Sequence, residues 1–101
     1  MSSERALEIL KNWKMASSCL ESNSISLFKP GRSRFVRIED VSPSVLVVSD
    51  DSGWETIQLV GTEHFDGIEP TEFSVLRALQ ITCSDGKVVL FIEKAGSADE
   101  V

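Results

Sequence analysis

Apolar residues recur at two different periods along this chain. Ala6, Ile9, Leu10, Trp13 and Ala16 return at steps of three and four, which lines up one stripe on an α-helix. Ser2 or Ser3 can cap that helix. Glu4 and Glu8 then fall early and Lys11 and Lys14 late, the order the helix dipole favours. The spacing predicts a helix from about 4 to 17, ended by Ser22-Asn23-Ser24. From Ile25 the period falls to two, as in strands. Ser24 to Phe28 reads as a short strand. Lys29-Pro30-Gly31-Arg32 follows as a type II turn, with proline presetting φ and glycine supplying a positive φ. Ser33 to Asp40 places Val36 and Ile38 on one face and Phe35 and Arg37 on the other. After the break at Val41-Ser42-Pro43-Ser44, strands Val45 to Ser49 and Trp54 to Val60 flank a turn, Asp50-Asp51-Ser52-Gly53. In the second of these, Ile57 and Leu59 share a face. Residues 61 to 74 carry the weakest signal, with Phe65 to Ile68 the candidate strand. Val75 to Cys83 and Val88 to Glu93 surround Asp85-Gly86, a pair that favours a type I′ hairpin turn. The tail, Ala95 to Val101, is small and acidic and is expected to be disordered.

These elements predict one domain over residues 1–101 of mainly β, α+β class. An N-terminal helix precedes a five- or six-stranded antiparallel meander, its strands within 24–94. A chain of 101 residues suffices for one modest core. Short links favour pairing between sequence neighbours, and a strongly bent meander can curl into a small open barrel that hides its edges. In architecture the layout resembles the Sm-like RNA-binding barrels. Those proteins carry an Asp-x-Met-Asn type loop and a later Arg-Gly loop for RNA. Neither is present here, so the family and its RNA chemistry are not assigned.

Two stretches break the alternation. Val45 to Val48 and Val88 to Ile92 are apolar at every position, so both faces of each strand need cover. A single 14-residue helix, about 21 Å long, shields one side of a few strands. Apolar surface is therefore expected to remain for another subunit. Val89 and Phe91 are the first candidates for such an interface, together with Trp54, which follows directly on a turn. A homodimer is the expected assembly.

The net charge of −6 disfavours nucleic acid and anionic membrane as partners. Its distribution adds a second possibility. Lys29, Arg32, Arg34 and Arg37 fall in a stretch without acids, whereas nine acids from Glu39 to Glu72 fall in a stretch without Lys or Arg. The two regions are either solvated surface or meet, within one chain or between subunits. Phe28 and Phe35 flank the basic stretch and suit a core. Interleaved with arginine, they would equally suit a stacking platform for single strands. A small-barrel nucleic-acid binder using residues 29–37 is thus the alternative reading.

Catalytic chemistry has little to build on. His64 is the only histidine, with no Cys or His beside it at metal-ligand spacing. Asp50-Asp51-Ser52-Gly53 lacks the alternating ligands and distant Glu of a calcium loop. Cys83 continues the apolar face of Leu79 and Ile81, and Cys19 has no local base, so both thiols are expected to be inert. No phosphate loop, nucleophile elbow or zinc-protease motif occurs. No catalytic, cofactor or metal residue is therefore assigned, and an enzyme is not expected. The longest apolar run is five residues, and Met1 to Arg5 lacks the pattern of a secretory signal. Two distant, unpaired cysteines fit a reducing cytoplasm. The expected function is a non-catalytic protein-interaction or scaffold domain that associates with itself.

Overall fold

A computed structural model of the chain describes residues 1–25, 33–68 and 75–94. The expected turn at 29–32, Phe28 and the acidic tail lie outside the described residues. Helix α1 spans Ser3–Ala16. The Ser2 hydroxyl accepts the Arg5 N–H at 3.2 Å, and Glu4 and Lys14 sit at the dipole ends that favour their charges. The helix ends in the pair of hydrogen bonds typical of a left-handed cap. Ser17 N–H donates to the Lys14 carbonyl and Ser18 N–H to the Trp13 carbonyl, with Ser17 at φ 52°. A serine there carries the strain that glycine avoids. Ser17→Gly should accordingly stabilise the protein by up to about 1 kcal/mol, read as a rise in thermal midpoint.

Seven strands follow: β1 (Leu20–Ile25), β2 (Ser33–Val41), β3 (Val45–Asp50), β4 (Gly53–Gln58), β5 (His64–Ile68), β6 (Val75–Thr82) and β7 (Val88–Lys94). This corrects the expectation of five or six. The candidate strand at Phe65 to Ile68 forms as β5, and the strand expected at Ser24 to Phe28 starts instead at Leu20, as β1. Its polar residues are extended because partners on both sides satisfy its backbone: Leu20 lies opposite Val36 of β2 and Glu93 of β7. The single sheet runs β4-β3-β2-β1-β7-β6-β5, and every pair is antiparallel. It comprises two meanders joined at β1–β7 rather than one continuous meander.

The sheet is strongly curled. The Lys87 ammonium, just before β7, lies 3.9 Å from the Glu55 carboxylate on β4. Four strand spacings separate β7 from β4 in the order, which would be about 19 Å in a flat sheet. Curling does not become closure, and strand parity explains why. With seven antiparallel neighbours, the outer strands β4 and β5 point the same way. Pairing them would require a parallel crossover of roughly a dozen residues. The link, residues 59–63, has only five. The barrel is therefore partial.

The concave face holds the core. Leu20, Val36, Ile38, Leu46, Val48, Ile57, Leu59, Phe65, Leu79, Ile81, Val89 and Phe91 pack there against Ala6, Ile9, Leu10 and Trp13 of the helix. Trp13 meets Phe91 edge-on, with ring centroids 6.4 Å apart. Between Ile38 and Asp40 a bulge shifts the β2–β3 register. It returns Val41 to the buried face opposite Leu46, where strict alternation would have turned it outward.

The β6–β7 turn also differs from expectation. Gly86 has φ 91°, but Asp85 is not in the left-handed region that a type I′ turn requires. Cys83 and Lys87 bracket the loop instead. Gly86 N–H donates to the Cys83 carbonyl and Cys83 N–H to the Lys87 carbonyl. A three-residue loop with glycine at its end supplies the same reversal.

Candidate functional site

The apolar strands resolve into two faces. Val89 and Phe91 are 3% and 0% exposed, so they are core residues and not the interface expected of them. The run from Val88 to Ile92 alternates like any strand, with Val88, Leu90 and Ile92 half-buried on the convex face. Val45 and Val47 are likewise half-buried there, while Leu46 and Val48 face the core. Trp54, in contrast, is 73% exposed. Phe35 is exposed rather than core, on the convex face with the exposed Arg37.

Of the basic stretch, Lys29 and Arg32 lie outside the described residues, and Arg34 is already engaged. It reaches the Asp50 carboxylate at 2.6 Å and also pairs with Glu55, which Lys87 approaches from across the sheet. At least here, the basic and acidic regions meet within one chain. Together these four side chains form a polar network at one mouth of the curled sheet. Asp50 is the most heavily bonded. One oxygen accepts the Ser52 hydroxyl, the Ser52 N–H and the Gly53 N–H, while the other faces Arg34. The two Ser52 bonds, followed by Arg34, lower its carboxyl from 3.8 to about 2. A depressed carboxyl stabilises the fold fully above its unfolded value and loses that contribution as pH falls through its folded value. Asp50→Asn should therefore be less stable than the parent at neutral pH. The difference should shrink between pH 3.8 and about 2, followed by urea midpoints across that range.

The open margin at β4 has a defined hydrogen-bond polarity. Leu59 N–H donates to the Ser44 carbonyl at 2.9 Å, in the register that places Leu46 opposite Ile57 and Val48 opposite Glu55. Bonded and unbonded pairs alternate in an antiparallel ladder. Gly53, Glu55 and Ile57 therefore turn their backbone groups toward β3, whereas Trp54, Thr56 and Gln58 turn theirs to the open side. Among the described residues nothing pairs with those groups. The side chains of Trp54, Thr56 and Gln58 are exposed and uncharged. The strand's single charge, Glu55, is tied to Arg34 and Lys87. The other margin is better defended. Strand β5 carries His64 and Asp66, contacts α1, and has the Met1 methyl 2.6 Å from where a Cβ on Gly67 would stand. Thr56 and Gln58 had no signal in the sequence beyond alternation, because which strand lies outermost depends on the order of the whole sheet.

The remaining candidates do not converge. His64 is exposed at the start of β5. Burial, then Asp85 and Glu63, raises the pKa of the half-buried Cys83 thiol, which packs against the core. Cys19 joins Phe35, Arg37, Ser49 and Asp51 around a hollow of about 210 Å³. A wider cleft of about 420 Å³ lies between the start of α1 and the β5–β6 margin, with Arg5 and Arg77 among apolar Met1, Ile68 and Leu76. Neither includes His64 or Trp54. Among the described residues no three His, Cys, Asp or Glu side chains group to hold a metal. No helix among them is long and apolar enough to cross a membrane. Compared with family models, curated proteins and solved structures, the chain matches none.

Proposed function

We propose that this chain is a non-catalytic interaction domain that associates with itself, working in a reducing cytoplasm where Cys19 and Cys83 remain thiols. One observation carries the reading: among the described residues, the margin at β4 combines unpaired backbone groups with a 73% exposed tryptophan and no free charge. Monomeric proteins usually blunt such a margin with lysine, proline, a bulge or a covering segment. The expected partner is therefore a second copy, and β5 is not the contact. Sedimentation or light scattering on the purified chain tests this. A dimer at micromolar concentration is expected, and a stable mass of 11.1 kDa at high micromolar concentration excludes it.

A second reading rests on Phe35 and Arg37, exposed two residues apart on the convex face. An aromatic beside an arginine can stack on an unpaired base. Engagement of Arg34 by two carboxylates and a net charge of −6 both weigh against it. Salt-sensitive binding of a single-stranded oligonucleotide, lost in Phe35→Ala, would favour this reading over the first.

A further inference from the structure

We infer that two copies join by antiparallel pairing of β4 with β4 about a two-fold axis at Thr56, giving one continuous sheet with seven strands from each copy. The inference rests on the self-association proposed above and names its contact. The open groups belong to Trp54, Thr56 and Gln58. With Thr56 opposite its own copy, Trp54 falls opposite Gln58 of the second copy and Gln58 opposite its Trp54. All three pairs then exchange both N–H to carbonyl bonds, so every open group on β4 is satisfied at once.

Neighbouring registers are worse. A shift that centres Glu55 sets two carboxylates face to face, and like charges directly opposite are destabilising. A shift that centres Ile57 brings in Val60, whose N–H is already held by the Glu63 carboxylate at 2.7 Å. With Thr56 central, Glu55 meets Ile57 and keeps its own partners Arg34 and Lys87. The convex face gains as well. The exposed Trp54 of each copy is partly covered by Gln58 of the other, while the two Thr56 side chains meet at the axis with half-buried Val47 beside each. The occupant is a strand because the open groups alternate donor and acceptor at strand spacing. It is this strand because the sequence about Thr56 is complementary to itself and carries no free charge.

Two variants and a cross-link test the contact. Thr56→Pro removes an N–H that points away from β3, so the protomer keeps its own ladder while the joint loses a bond on each side of the axis. It should weaken the dimer roughly tenfold or more with the far-UV spectrum unchanged. If that variant fails to fold, Thr56→Lys takes its place by setting two cations against each other on the axis. In a Cys19→Ser, Cys83→Ala background, Thr56→Cys should form an intermolecular disulfide on mild oxidation, since bonded antiparallel pairs hold their Cα atoms about 5.5 Å apart. Gln58→Cys should not, because its own copy lies several residues away along the joint. A dimer that ignores the Thr56 substitutions, or that cross-links through position 58 and not 56, overturns this contact and leaves self-association standing. A monomeric parent protein overturns both.

Discussion

Phe91→Ala should cost about 3–5 kcal/mol of unfolding free energy, the range for removing a buried aromatic. Phe91 is fully buried and meets Trp13 edge-on, so its loss opens a cavity where helix and sheet join. Small domains have only about 5–15 kcal/mol in total. The variant should therefore unfold at much lower urea, or fail to accumulate folded. The measurement is equilibrium unfolding followed by tryptophan fluorescence and by far-UV circular dichroism. Leu90→Ala, one residue away but half-buried on the convex face, should cost less than half as much. If the two variants were equal, Phe91 would not occupy the core. If Phe91→Ala changed the solution mass and left stability intact, the surface role first expected of it would be restored.

Arg34→Glu should cost about 2 kcal/mol, a Coulomb estimate for a partly screened cluster. The substitution removes the cation that holds Asp50 and Glu55 and sets a third carboxylate beside them, leaving Lys87 as the network's cation. Because the cluster is partly open to solvent, concentrated salt should recover part of the loss. Arg37→Glu is the comparison. That side chain is exposed and has no ion-pair partner among the described residues, so its reversal should change stability by less than about 0.5 kcal/mol. Urea midpoints for both variants at low and high salt decide the matter. Equal effects would mean that Arg34 does not hold the mouth together. A fall in dimerisation in Arg34→Glu must be judged against this loss of stability, since the arginine serves its own protomer first.

Much of the fold could be read from alternation. Val36 and Ile38 in β2, Ile57 in β4 and Leu59 just after it are buried as their period of two requires. The helix stripe from Ala6 to Trp13 is buried as well. Alternation failed where it had nothing to alternate. In Val88 to Ile92 every residue is apolar, so the pattern cannot say whether the odd or the even positions face inward, and Val89 and Phe91 were given the wrong face. The start of β1, before Ser24, was hidden for the opposite reason. Glu21, Ser22, Asn23 and Ser24 have poor strand propensity, and only pairing on both sides makes them extended. The mouth network was half legible. Opposite charges in neighbouring regions suggested a meeting, but Lys87 could join only after the sheet curled.

The joint between β1 and β7 has a kinetic consequence. It brings Leu20 beside Glu93, 73 positions apart in the sequence, and it is the one ladder linking the two meanders. Each meander can assemble from nearby residues, but neither can bury Phe91 against Trp13 until the distant segments find one another. Such late, long-range search places folding on the millisecond-to-second scale typical of β-rich domains. Until it ends, both halves carry raw strand margins, so refolding yield should fall as protein concentration rises.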